Sequence, residues 1–132
     1  MGRVLERLAV ARHALETLLQ LSGRENPSPV ERDAAIQRFE YTFEAFWKAL
    51  QAYLREEEGL EAASPKRVFR LAGEVGLLDE EGVRLALQMA DDRNLTVHTY
   101  NEALAQTIYA RLEGYARLME RVLGRLHEGR PL

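Results

Sequence analysis

Hydrophobic residues recur along this chain at steps of three and four. Val4, Leu8, Ala11, Leu15 and Leu18 fall on one stripe of a first helix. The segment from Gly23 to Pro29 breaks that pattern. Ser28, Pro29 and Glu31 then read as a helix start: a serine N-cap, a proline in the first turn and a glutamate reaching back to complete a capping box. The second helix carries Ile36, Phe39, Phe43, Phe46, Leu50 and Tyr53 on its apolar face, widened by Trp47, with Gly59 as its stop. Ser64 and Pro65 open a short third helix through Val68, Phe69, Leu71 and Ala72, which Gly73 and Gly76 are expected to interrupt. Asp79, Glu80 and Glu81 form an acidic first turn for a fourth helix carrying Val83, Leu87 and Met89. A break is expected between His98 and Asn101, where Asn101 caps the last helix. That helix shows Leu104, Ile108, Leu112, Tyr115, Met119, Val122 and Leu126 at near-heptad spacing. Residues 128–132 should fray.

No strand alternation of useful length and no internal repeat is present. Helices with single apolar stripes and short connections must bury those stripes against each other. The expected fold is all-α: an up-and-down bundle of four main helices plus a short one, forming a single domain over 1–132.

Composition narrows the function classes. The chain has 132 residues, no cysteine and a net charge of −3. The missing cysteines exclude a disulfide framework, a thiolate metal site and a cysteine nucleophile. The net charge is the wrong sign for a dedicated DNA binder, so any nucleic-acid affinity must come from a local patch. No apolar run approaches the roughly 20 residues of a membrane span. The N-terminus lacks a signal-peptide pattern. No membrane association and a cytoplasmic location are therefore expected.

Candidate chemistry concentrates at Arg93, Asn94, His98 and Tyr100, preceded by Asp91 and Asp92. An arginine offers a planar fork of donors to phosphate oxygens. A histidine exchanges protons near neutral pH. Together they suit metal-independent RNA cleavage. On one straight helix Arg93 and His98 would point about 140° apart. A joint site needs the helix to end near Thr96 and Val97, or a second copy to supply the missing group across a two-fold axis. Asn94 and His98, four apart, would share a face. The plainer reading pairs Arg93 with Asp92, Glu40 or Glu44 and makes His98 a satisfied buried histidine or a helix-terminal cation.

Glu40, Glu44 and Lys48 stand at successive i,i+4 positions, which suits a charged ladder. The alternative is that Glu40 and Glu44 face the arginine–histidine cluster as auxiliary residues. No histidine is spaced to join them as metal ligands. Tyr41 falls off the aromatic core stripe and is the expected exposed member. Arg117, Arg121 and Arg125 line one side of the last helix, with Glu113 and Glu120 close by.

Beyond these patterns, the run from Asp33 to Lys48 resembles the nucleotidyltransferase substrate-binding proteins of the HEPN superfamily. It contains Phe39-Glu40-Tyr41-Thr42-Phe43-Glu44 and Trp47-Lys48. Ser64-Pro65-Lys66, Gly76-Leu77-Leu78-Asp79 and the run from Asp91 to Tyr100 carry the same likeness, in the expected order. The resemblance implies a HEPN-like helical bundle that forms homodimers, with the arginine–histidine motifs meeting near the dimer interface. It also implies a separate minimal nucleotidyltransferase as partner, which would use ATP and Mg²⁺; this chain would need no cofactor or metal of its own. By matching position, Arg93 would hold phosphate, His98 would act as acid/base, Asn94 would assist, and Tyr100 would receive AMP.

Three functions follow from the resemblance and the residues together. The first is a substrate-binding partner subunit that presents Tyr100, and RNA or a nucleotide, to that enzyme. The second is a metal-independent ribonuclease toxin neutralised by adenylylation of Tyr100. The third is a structural dimer module without catalysis. Whether the chain is itself an enzyme turns on the second.

Overall fold

In the computed structural model, residues 2–128 are described; of the fraying expected over 128–132, Glu128 instead completes the last helix, and the rest lies outside the described residues. Five α-helices follow in order: α1 (Gly2–Leu19), α2 (Pro29–Glu58), α3 (Pro65–Glu74), α4 (Glu80–Leu95) and α5 (Glu102–Glu128). A single 3₁₀ turn, Thr96–His98, joins α4 to the loop before α5. No described residue forms a strand. The architecture is the expected helical bundle.

Local chemistry sets the boundaries. The Ser28 hydroxyl accepts from the Glu31 amide at 3.1 Å, and the Glu31 carboxylate accepts from the Ser28 amide at 2.8 Å. This capping box satisfies two donors that the first turn of α2 would otherwise leave orphaned. The Ser28 amide first, then the Ser28 hydroxyl and Arg24, hold the Glu31 carboxyl below its ordinary range. Gly59 ends α2 in the left-handed region at φ 68°, its amide turned back to the Leu54 carbonyl. Asp79 caps α4 through the Gly82 amide at 2.7 Å. Asn101 caps α5 through the Leu104 amide at 3.1 Å.

Gly73 departs from expectation. It lies inside α3, which continues to Glu74. A Cβ there would stand 2.5 Å from Cγ2 of Val83, so the glycine lets α4 approach α3 closely. The left-handed break falls at Gly76, φ 83°.

The longest helix, α2, packs against all four others. Its stripe supplies Ile36, Phe39, Phe43, Phe46 and Leu50 to the core, all buried. Phe39 stacks on Tyr115 of α5, and Phe43 meets Phe69 of α3 edge-on. The α5 stripe from Ile108 to Leu126 is buried against them. The fourth helix packs against α3, α5 and α2, and its C-terminal end carries the polar cluster.

Candidate functional site

Three consecutive residues on α4 point to three different helices. Asp91 reaches Lys66 of α3 at 2.6 Å. Asp92 reaches Arg111 of α5 at 3.0 Å. Arg93 reaches Glu40 and Glu44 of α2, each at 3.6 Å. The 100° turn per residue makes this divergence unavoidable on a helix surrounded by neighbours. Of the ion-pair partners weighed for Arg93, the two glutamates of α2 are realised and Asp92 is not. The charged-ladder reading of Glu40, Glu44 and Lys48 gives way accordingly: both carboxylates face Arg93, and Glu44 also accepts from the Trp47 indole at 3.0 Å.

The junction is organised by Thr96, which the sequence did not single out. Its hydroxyl accepts from Arg93 Nη1 at 3.2 Å. It also lies 2.7 Å from Glu40 Oε2 and 2.7 Å from the Arg93 carbonyl. One hydroxyl proton serves one acceptor at a time, and the carboxylate is the stronger. The Thr96 amide donates to the Arg93 carbonyl, an i,i+3 bond that closes α4 at Leu95 and leads into the 3₁₀ turn. Arg93 keeps an unfilled donor: Nε is buried without a hydrogen bond, and 3.6 Å from Glu44 is too long for one.

Beyond that turn the chain presents His98 and Tyr100. Their rings meet edge-on with centroids 5.8 Å apart, and Nδ1 of His98 lies 3.3 Å from the Tyr100 hydroxyl. Both are exposed, Tyr100 at 85%. The Thr99 hydroxyl donates to the Thr96 carbonyl at 2.9 Å, and the Asn101 amide donates to the His98 carbonyl at 3.0 Å, so the turn is braced on both sides.

The expected site residues therefore form two groups. Arg93, Glu40 and Glu44 gather around Thr96, while His98 and Tyr100 pair at the surface. No hydrogen bond joins the groups among the described residues. The face-sharing expected of Asn94 and His98 does not arise, because α-helical geometry stops between them. Asn94 instead lines a cleft of about 310 Å³ with Arg93, Glu44, Ser64 and Lys66. A second cleft of about 450 Å³ lies between α1 and α2 and shares Glu44.

A buried polar network was not expected from the sequence. The Asp92 carboxylate, 2% exposed, takes both oxygens to Arg111 Nη1 at 3.0 Å and accepts from the Tyr115 hydroxyl. Gln88 lies 3.1 Å from that hydroxyl. Burial, reinforced by the Asp92 hydrogen bond, pushes the Tyr115 phenol above its ordinary range, and the Asp92 hydrogen bond raises Arg111. The one sequence signal for it was Arg111 and Tyr115 at i,i+4 on α5. Among the described residues, no group of three or more histidine, aspartate and glutamate side chains is placed to hold a metal. No described helix is long and apolar enough to cross a membrane.

Residues 4–128 match the family described as nucleotidyltransferase substrate binding protein like. The chain belongs to that family. A Haemophilus influenzae protein named probable ribonuclease HepT is 30% identical over 120 residues, covering 82% of this chain and 81% of that protein. A crystal structure from Thermus thermophilus is 75% identical, covers 88% of this chain and 98% of that one, and superposes with a TM-score of 0.87. A Haemophilus influenzae structure is described as revealing the fold of a substrate binding domain of a nucleotidyltransferase. It is 27% identical, covers 91% of this chain and 98% of that one, and gives a TM-score of 0.72.

Proposed function

We propose that this protein is the HEPN-type partner subunit of a two-component nucleotidyltransferase system, and that Tyr100 is the residue it presents for AMP transfer. The observation that carries this reading is the exposure of Tyr100 together with its contact to an imidazole. The other tyrosines with described partners differ. Tyr109 and Tyr115 are buried, at 7% and 0%. Tyr41 is less exposed, at 45%, and meets the Thr17 hydroxyl rather than a base. A phenol that must enter another protein's active site needs the setting of Tyr100.

The nucleotidyl transfer itself belongs to the partner, which binds ATP and Mg²⁺. A homodimer completes the arrangement. The turn at Thr96–His98 separates Arg93 from His98 within one protomer, and a two-fold axis would bring the arginine of one copy to the histidine of the other. Family membership and the likeness to a nucleotidyltransferase substrate-binding domain support the partner assignment. The test is to incubate the protein with its cognate minimal nucleotidyltransferase, ATP and Mg²⁺, and then map the product by peptide mass spectrometry. An adenylate on Tyr100 is expected; its absence from that peptide counts against the reading.

A second reading, a metal-independent ribonuclease, is favoured by the name of the Haemophilus influenzae relative and by the residue types. His98 would exchange protons with a ribose 2′-hydroxyl or leaving oxygen, and Arg93 would hold the phosphate. Arg93 would first have to exchange its Glu40 and Glu44 contacts for phosphate oxygens, with Asn94 assisting at the adjoining cleft. The two readings are compatible: an adenylate on the Tyr100 oxygen would stand against the His98 ring.

A further inference from the structure

We propose that His98 is the proton acceptor when Tyr100 is adenylylated, so that this chain carries a catalytic group for its own modification. The inference rests on Tyr100 being the acceptor of AMP.

A phenol attacks phosphorus well only as its proton leaves. In the transfer, the Tyr100 oxygen forms a bond to the α-phosphorus of ATP. The bond from that phosphorus to the bridging oxygen breaks, and pyrophosphate departs with the electron pair. The phenol proton must go to a base. Among the described residues, His98 is the side chain hydrogen-bonded to the Tyr100 hydroxyl, at 3.3 Å through Nδ1. With its own proton on Nε2, the neutral imidazole offers Nδ1 as an acceptor. A neutral imidazole is a competent general base, so it can take this proton as the oxygen–phosphorus bond forms and then release it to solvent. The contact is long for a hydrogen bond, as catalytic contacts commonly are before substrate arrives.

The backbone favours the pairing. His98 ends the 3₁₀ turn and Tyr100 follows two residues later, in a segment braced by the Thr99 hydroxyl and the Asn101 amide. That bracing fixes the backbone positions from which the two rings meet edge-on. The three other tyrosine hydroxyls whose partners are described meet a hydroxyl, backbone groups, or a carboxylate with an amide. None of those three pairs an exposed phenol with a base that works near neutral pH.

The experiment uses the full chain with its cognate minimal nucleotidyltransferase, ATP and Mg²⁺. The rate of adenylate appearance on the Tyr100 peptide is followed for wild type, His98→Ala and His98→Gln, with co-elution confirming that each variant still binds the partner. Both substitutions should slow transfer about 10²–10⁴-fold, the usual range for a lost general base. Free imidazole should accelerate His98→Ala and leave wild type unchanged. Wild-type rates in His98→Ala would overturn the inference while leaving Tyr100 as the acceptor. Wild-type rates in His98→Gln, slow transfer explained by lost partner binding, or no response to imidazole would also overturn it. A wild-type chain bearing no adenylate on Tyr100 would instead remove the reading on which the inference stands.

Discussion

Arg111 on α5 holds the Asp92 carboxylate of α4 through Nη1, 3.0 Å from each oxygen. The carboxylate is buried and the guanidinium is 41% exposed. Asp92 immediately precedes Arg93, so this pair fixes the rotation of α4 from which Arg93 reaches Glu40 and Glu44.

Removing the arginine leaves a buried charge without its counter-ion. Arg111→Met should cost about 3 kcal/mol, the lower end of the range for breaking a buried pair, because half of the pair is solvent-screened. Arg117 provides the control. It pairs with Glu113 and Glu120 at the surface, with all three side chains about half exposed. Arg117→Met should change stability by less than about 1 kcal/mol. Urea unfolding checks both; equal midpoints for the two variants would contradict the assignment.

Tyr115 makes stability sensitive to alkali. Its folded-state pKa is raised above the ordinary 10.0, chiefly by burial and then by Asp92. Above pH 10 the unfolded phenol loses its proton while the native one keeps it. The unfolded state then binds fewer protons, so stability falls as pH rises through that window. Tyr115→Phe should show a shallower loss between about pH 10 and 11 than wild type. Identical slopes in pH-dependent urea titrations would contradict this.

The close approach of α3 and α4 depends on Gly73. An added methyl would stand 2.5 Å from a branched side chain on Val83 that has little rotamer freedom. Gly73→Ala should destabilise by about 1–3 kcal/mol through overpacking, despite the better helix propensity of alanine. Val83→Ala in the same background should recover much of that loss. Thermal denaturation of the single and double variants distinguishes this from a simple propensity effect.

If the bundle also cleaves RNA, cleavage should persist in EDTA and fall about 10²–10⁴-fold in His98→Ala. Cleavage assays with purified wild type and variant, run side by side in chelator, test this. Equal rates would place the activity elsewhere.

Much of the fold was legible because its signals are local. Ser28 with Glu31, Gly59, Ser64 and Asn101 each act within a turn of the chain, and the three-four spacing of Phe39, Phe43 and Phe46 reports burial directly. The candidate site was legible only in part. Arg93, His98 and Tyr100 stand out by residue type, and a break near Thr96 was foreseeable. The hydrogen bonds of Thr96 to Glu40 and Arg93 were not, because Glu40 is 56 residues away and a threonine hydroxyl carries no spacing signature. Asp92 was hidden for the opposite reason. It sat in an apparent acidic cluster with Asp91, yet one helical step turned it into the core toward Tyr115.

On the proposed function, the Tyr100 hydroxyl accepts the nucleotide. ATP labelled at the α-phosphate, supplied with the cognate nucleotidyltransferase and Mg²⁺, tests it directly in three versions of the chain. Wild type and Tyr41→Phe should take up label equally, and Tyr100→Phe should take up none. Label retained in Tyr100→Phe, or missing from wild type, would show that Tyr100 is not the acceptor.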